Sequence, residues 1–150
     1  MFFLKDLPTQ QMLHGYHDRY PTLDIRAVDS ALRLLRRGSL LMRELEAYFA
    51  IHGLSQTRFL ILIVIDREGA QKGLLPSEIA DKLDVSRPVV TDTIKAMERA
   101  SLLESIRSVD DGRAKRILLT PDGSAVLAEL LPGYFTLIGA FMSRCAKSEL

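Results

Sequence analysis

The sequence predicts a mainly α-helical chain with one small β-hairpin, and three observations support this fold class. Apolar residues recur at helical spacing in two long stretches, one before and one after the centre of the chain. Residues 75–100 have the pattern of two short helices joined by a tight turn. Two β-prone segments around an Asp-Gly pair follow these helices directly. Helices therefore dominate the chain, and the hairpin is a local addition to them.

The two central helices are defined by their boundary residues. Pro76 suits a first helical position, where its missing N–H costs nothing, and we expect the first helix to span Ser77 to Leu83. Residues 84–85 are expected to make the turn. Ser86 is predicted to cap the second helix, because its hydroxyl can accept from backbone N–H groups two or three residues further on.

The second helix has an apolar face and a polar face. The residues predicted to point inward are Val89, Ile94 and Met97, together with Val90. The residues predicted to point outward are Arg87, Thr91, Asp92 and Lys95. Two helices joined in this way form a helix-turn-helix, whose second helix enters the major groove of DNA with its N-terminal residues towards the bases. The alternative is a plain pair of packed helices, which many all-α domains contain.

The segments after the second helix predict a basic hairpin. Leu102–Val109 and Lys115–Thr120 are rich in β-branched and large apolar residues, and the Asp111-Gly112 pair between them is typical of a hairpin turn. A basic hairpin directly after a helix-turn-helix makes a winged helix, whose tip can place an arginine such as Arg113 in a narrow minor groove. The alternative for Arg113 is a solvated turn residue that pairs with Asp110 or Asp111.

Three blocks of the sequence resemble the MarR family of bacterial transcriptional regulators. They lie between Leu54 and Gly123 and read LSQTRFLILIVIDREG, LPSEIADKLDVSRPVVTDTIKAMERASLLE and DDGRAKRILLTPDG. The blocks occur in the order and with the spacing of that family, and they cover roughly half of the chain. The resemblance implies a homodimeric winged-helix repressor or activator whose affinity for DNA often responds to a small ligand.

Residues of the second helix and the hairpin are the predicted DNA contacts. They are Ser86, Arg87, Pro88, Thr91, Asp92, Lys95, Arg99, Arg113 and Lys115. Arg87 could hold a guanine edge through two parallel hydrogen bonds, whereas Lys95 and Arg99 suit phosphates. Asp92 departs from the resembled family, which often has a basic or amide residue there. Its carboxylate repels phosphate, although it could accept from a cytosine amine or orient Arg87.

The flanking helices are predicted from apolar spacing and end signals. Leu23–Ile51 is one helix that Gly38-Ser39 is expected to interrupt, and His52-Gly53 ends it. Leu54–Glu68 is apolar nearly all round, so we expect a buried helix there. Thr120 is expected to cap the last helix, and Pro132-Gly133 to kink it.

The flanking helices carry more apolar surface than one winged-helix domain can bury. We therefore expect residues 1–53 to supply an arm and a dimerisation helix, 54–120 the DNA-binding domain, and 121–150 a second dimerisation helix. A small aromatic or anionic ligand would bind between this layer and the DNA-binding part. Weak candidates for its contacts are His17, Tyr20, Arg37 and Tyr48, and the alternative for each aromatic is core packing.

Composition excludes several classes of function. A net charge of +1 means that any attraction to nucleic acid must be local, and leaves a winged-helix protein-interaction module as the alternative function. The single cysteine, Cys145, excludes an internal disulfide and fits a reducing cytoplasm. We expect no enzyme, no cofactor and no metal, because His14 and His17 lack further ligands at matched spacing. We also expect no signal peptide and no transmembrane helix.

Overall fold

The computed structural model describes residues 2, 4–69, 71–107 and 112–147. Its helices and strands, in chain order, are α1 (Gln10–Arg19), α2 (Ile25–Ile51), α3 (Gln56–Gly69), α4 (Pro76–Asp81), α5 (Arg87–Arg99), β1 (Leu103–Arg107), β2 (Lys115–Leu119) and α6 (Pro121–Ala146). The two strands form one antiparallel sheet. The predicted fold class, mainly helical with a small β wing, is confirmed. The chain divides into two compact units, residues 46–136 and residues 1–45 with 137–150.

Helix α3 forms the centre of the unit 46–136. Five of its apolar side chains are almost completely buried: Phe59, Ile61, Leu62, Val64 and Ile65. The Phe59 ring also stacks on Phe49, with 4.6 Å between the ring centroids. A helix buried on most sides is the structure expected from an apolar run without a polar stripe. The prediction of a buried helix at 54–68 is therefore confirmed, although its first turn begins two residues later.

Helix α2 begins at Ile25, two residues later than predicted, and ends at the predicted Ile51. The Asp24 carboxylate accepts from the Ala27 N–H at 3.0 Å, which satisfies one of the free donors of the first turn. At the other end, Gly53 has φ +69°, and the Leu54 N–H donates to the Phe49 carbonyl at 2.9 Å. Glycine adopts this left-handed conformation without the steric cost that a Cβ would add.

The predicted interruption of α2 at Gly38-Ser39 is wrong. The helix is continuous through both residues. The buried Ser39 hydroxyl donates to the Phe2 carbonyl at 3.1 Å rather than competing with the helix backbone. A glycine inside a helix costs only about 1 kcal/mol, which the packing of a 27-residue helix easily offsets.

Helix α6 starts after the predicted cap and continues through Pro132-Gly133, where a kink was predicted. The Thr120 hydroxyl accepts from the Gly123 N–H at 2.9 Å and donates to the Ser101 carbonyl at 2.6 Å. The helix then continues without a break through Pro132 to Ala146. Beside the proline, the Tyr48 hydroxyl donates to the Leu130 carbonyl at 2.7 Å.

Helix α6 is also long and apolar enough to cross a membrane by composition alone. An 18-residue window has a mean hydropathy of 1.6, and 17% of that window is buried within one copy of the chain. The expectation of no transmembrane helix rested on charges that interrupt apolar runs, and α6 tolerates Glu129 within its length. The helix therefore presents an extended apolar surface that one chain leaves uncovered.

The close approach of Gly133 to Tyr48 gives the first prediction. A Cβ at Gly133 would lie 2.4 Å from the Tyr48 Oη, so Gly133→Ala is expected to lower the free energy of unfolding by about 1–3 kcal/mol. Gly139→Ala in the same helix is the matched control, because nothing lies within 4 Å of its Cβ. Chemical denaturation measures both. Equal stability of the two variants would contradict the close packing at Gly133.

Candidate nucleic-acid interface

Helix α4 is shorter than predicted and is capped by its own glutamate. It spans Pro76–Asp81 instead of Ser77–Leu83. Leu75, at the capping position, has no polar side chain, and the Glu78 carboxylate accepts from its N–H at 2.7 Å. Ile79 and Ala80 are buried and anchor the helix in the core. The turn to α5 therefore takes residues 82–86, more than the two predicted.

Ser86 occupies the N-cap position of α5, but its hydroxyl makes no capping hydrogen bond. The Val90 N–H donates to the Ser86 carbonyl at 3.1 Å and closes the first turn through the backbone. A capping hydroxyl normally accepts from the second or third residue of the helix. The second residue, Pro88, has no N–H to give, and the third, Val89, makes no capping bond to the Ser86 hydroxyl. The predicted capping bond is therefore wrong, while the predicted position is confirmed.

The buried face of α5 is narrower than predicted. Val90, Ile94 and Met97 are 0%, 3% and 0% exposed, and they recur at the spacing of one helical face. Val89 was predicted to point inward but is 47% exposed. Successive helix residues are rotated by about 100°, so Val89 cannot share the buried face with Val90. Val89 thus extends the outer surface. The i, i+4, i+7 spacing of Val90, Ile94 and Met97 separates the two valines, and the prediction overlooked it.

All the predicted DNA contacts are exposed. On α5 and its cap these are Ser86, Arg87, Pro88, Thr91, Asp92, Lys95 and Arg99, and in the hairpin they are Arg113 and Lys115. At 3.6 residues per turn, the six candidates on α5 lie within about 140° of the helix circumference, outside the arc of its buried side chains. The structure therefore gathers the α5 candidates on one accessible side. Their contacts with DNA stay a prediction.

The Arg87 guanidinium is held by an aspartate of α4. Its Nη2 lies 2.8 Å from the Asp81 Oδ1. Asp92 was predicted as a carboxylate that could orient Arg87. In the structure, the carboxylate that contacts Arg87 is that of Asp81. Asp81 lies six residues away across the turn, so helical spacing could not identify it.

The hairpin has the predicted antiparallel pairing. Leu103 pairs with Leu119, and Arg107 pairs with Lys115 at the far end of the register. Leu74, before α4, adds a single antiparallel bridge to Ile117. Residues 108–111 lie outside the described part of the chain. The predicted turn at Asp111-Gly112 and the predicted pairing of Arg113 with Asp110 or Asp111 therefore also lie outside it.

Polar contacts join the hairpin to the helices. The Arg116 Nη1 donates to the Gly73 carbonyl at 2.9 Å and lies 3.5 Å from the Glu78 carboxylate. The Ser105 hydroxyl on β1 donates to the Glu98 carboxylate on α5. Arg116 is mostly buried, so its charge holds the base of the hairpin. The hairpin is thereby fixed to both ends of the helix-turn-helix.

Another charged pair lies behind α4. The Lys82 Nζ is 2.6 Å from the Glu68 carboxylate, and the Arg67 guanidinium is 3.0 Å from the same group. The hydrogen bond from Lys82 lowers the pKa of Glu68 below its usual value, so the ion pair persists to a more acidic pH than an unshifted glutamate would allow. Lys82 is therefore paired within the protein.

The four candidate ligand contacts differ in their surroundings. In the unit 1–45 with 137–150, the His17 Nδ1 lies 3.0 Å from the Leu23 carbonyl, and Tyr20 is 59% exposed. The Arg37 Nε is buried without a hydrogen-bond partner among the described residues. In the other unit, the Tyr48 hydroxyl is engaged by Leu130. Tyr48 thus has a packing contact, and ligand binding by all four residues stays a prediction.

Comparisons with known proteins agree with this geometry. Residues 52–114 match the MarR family model. The HTH-type transcriptional repressor YetL of Bacillus subtilis (strain 168) is 28% identical over 146 residues, which cover 97% of this chain and 87% of that protein. The match extends well beyond the helix-turn-helix into both flanking regions.

Solved structures share the fold. A mutant of MepR from S. aureus bound to an oligodeoxyribonucleotide aligns with a TM-score of 0.61 and 18% identity, covering 78% of this chain and 83% of that one. The organohalide-sensing regulator RdhR in its 2,4-dichlorophenol-bound form aligns with a TM-score of 0.65 and 16% identity, covering 95% and 78%. The match of residues 52–114 and the similarity to YetL make the chain similar to the MarR family of transcriptional regulators, and the solved structures show that it shares their fold.

Proposed function

We propose that the chain is a sequence-specific DNA-binding repressor that acts as a homodimer on a pseudo-palindromic operator. The observation that carries this proposal is the exposed polar arc of α5, which is backed by the buried face Val90, Ile94 and Met97. A helix packed in this way can insert its outer side into a major groove without unfolding. The repressor assignment follows the name of the Bacillus subtilis relative, and the DNA-bound MepR relative supports the mode of binding.

In this proposal, each residue of the arc has a distinct part. Arg87 reads a guanine edge from the first position of α5. Thr91 offers a methyl group and a hydroxyl to a thymine or a phosphate, and Lys95 and Arg99 neutralise phosphates further along the helix. Arg113 and Lys115 bring positive charge to the flanking minor groove. This local charge explains how a chain with a net charge of +1 binds a polyanion.

The second copy in the proposed dimer covers apolar surface on α2 and α6. Side chains exposed on these helices include Leu34 at 72%, Leu35 at 51%, Phe135 at 60% and Met142 at 55%. Large apolar side chains exposed on both helices are a common mark of a protein–protein interface. We prefer a second copy to a lipid bilayer because both helices also carry charge: the Arg144 guanidinium holds the Glu44 carboxylate at 2.6 and 2.7 Å.

Ligand control and location complete the proposal. The relative RdhR is described with bound 2,4-dichlorophenol, and we propose that a small aromatic or anionic effector also releases this chain from DNA. The protein is proposed to act in the cytoplasm without catalysing a reaction. The alternative, a winged-helix interaction module without specific DNA binding, rested on the low net charge and Asp92. The family match and the DNA-bound relative do not favour it.

The proposed reading role of Arg87 gives the second prediction. Arg87→Ala should weaken binding to the preferred sequence by about 1–3 kcal/mol and relax selectivity at one base pair. Lys95→Ala is the matched control: it should weaken all sequences alike and lower the slope of log Kd against log salt by about one. Gel-shift titrations at several salt concentrations measure both. Equal losses on selected and random duplexes for Arg87→Ala would remove its reading role.

The proposed dimer gives the third prediction. Leu34→Glu and Phe135→Glu, made separately, should each weaken self-association at least about tenfold, because a charge would be buried in the interface. Ile106→Glu is the control, since Ile106 is 42% exposed on β1, outside the proposed layer. Sedimentation velocity over a range of protein concentrations measures the association. A wild-type chain that sediments as a monomer would contradict the proposal.

A further inference from the structure

Arg87 and Asp81 form an ion pair across the turn of the helix-turn-helix. Asp81 is the last residue of α4, and Arg87 is the first residue of α5. Their side chains are 63% and 70% exposed, with 2.8 Å between Oδ1 and Nη2. An ion pair as exposed as this one contributes little to folding stability. Its main effect is therefore to fix where the Arg87 guanidinium lies.

The basic side chains next to Asp81 are engaged by other carboxylates. Lys82, the next residue in the chain, lies 2.6 Å from Glu68. Arg116, from the hairpin, lies 3.5 Å from Glu78 and donates to a backbone carbonyl. Because Lys82 and Arg116 contact other carboxylates, the Asp81 carboxylate pairs with Arg87.

The pair leaves most of the donors of Arg87 available. A guanidinium has five N–H groups in a rigid plane, and a guanine edge takes two of them in parallel. The hydrogen bond to Asp81 uses the Nη2 group and sets the orientation of that plane. A side chain that is already oriented loses less conformational freedom when it binds than a mobile one does.

The same pair acts against binding to the wrong sequence. On random DNA, an arginine that finds no guanine is drawn to the nearest phosphate. To turn towards a phosphate outside the plane that Asp81 sets, Arg87 would have to leave the Asp81 carboxylate unpaired beside a polyanion. Specificity is the difference between two affinities, so a penalty confined to the non-specific complex raises it.

We propose that Asp81 is a specificity-determining positioning residue, which holds Arg87 for a guanine edge and keeps it from phosphates. The inference rests on the proposed function and deepens it. It assigns a part in base reading to a carboxylate that lies outside the reading helix.

The experiment compares Asp81→Ala and Asp81→Asn with a matched control. Asp84→Ala removes another exposed aspartate from the same turn and so changes the general charge in the same way. The wild-type chain first selects duplexes from a random-sequence library. Dissociation constants are then measured for the selected duplex and a scrambled duplex at several salt concentrations, for each variant in the Arg87 and Arg87→Ala backgrounds. Circular dichroism and thermal melting establish that each variant is folded.

Asp81→Ala should bind the scrambled duplex slightly more tightly and the selected duplex a few-fold more weakly, so the ratio of the two affinities falls by about two- to fivefold, the range of an exposed ion pair. Asp84→Ala should shift both affinities by the same factor. Asp81→Asn, which keeps an oxygen that can accept from Arg87, should retain more of the ratio than Asp81→Ala. In the Arg87→Ala background, the loss of ratio on removing Asp81 should disappear.

The outcomes separate the two proposals. If the wild-type chain enriches no sequence from the library, the proposed function fails and this inference falls with it. If the wild type is selective but Asp81→Ala behaves like Asp84→Ala, the role of Asp81 alone is overturned. A loss of ratio that persists without Arg87 would also overturn it, because the effect would then not pass through that arginine.

Discussion

The burial of one face of α5 is the constraint on which the rest of the winged helix depends. Val90, Ile94 and Met97 are withdrawn from water within the same unit as the apolar helix α3. Burying three such side chains contributes several kcal/mol, on the order of 1.5–3 kcal/mol each, which fixes the rotation of α5 about its own axis. Once that rotation is fixed, the polar residues of the opposite side have no freedom to turn inward. The polar arc is thus a consequence of the core.

Charge is distributed as local pairs around this scaffold. Glu68 with Lys82, Glu78 with Arg116, and Asp81 with Arg87 each join two different parts of the same unit. The pairs differ in exposure, and this difference separates their effects. Arg116 is mostly buried and holds the hairpin, whereas Arg87 is largely exposed and ready to meet another molecule. A near-neutral chain can therefore carry positive groups where they are accessible.

Sequence was a sufficient guide wherever one local rule decided the outcome. Thr120 caps the start of α6 and Gly53 follows the end of α2, as their chemistry predicts. The burial of α3 follows from its apolar run. Local rules failed where two of them competed. Pro88 has no N–H from which the Ser86 hydroxyl could accept. The packing of α2 offset the cost of Gly38 within the helix.

The candidate site shows the same limit. Its α5 residues were identified because they lie on one helix. The prediction placed all of them except Val89 on the correct buried or exposed face. Asp81 was missed because its partner lies across a turn whose path no spacing rule gives. Contacts between separate helices and strands can be identified only from the three-dimensional structure. Residues that adjust a binding site often make such contacts.

The contacts of Arg116 have a consequence for the proposed DNA target. This side chain ties β2 to the Gly73 carbonyl and to Glu78 at the start of α4, within the same unit as α5. A hairpin held to the helices in this way would constrain distance along the double helix as well as sequence. Within each proposed half-site, the major-groove bases and the flanking minor-groove step would then keep a constant separation. Inserting one base pair between them would rotate the second feature by about 34–36° out of reach.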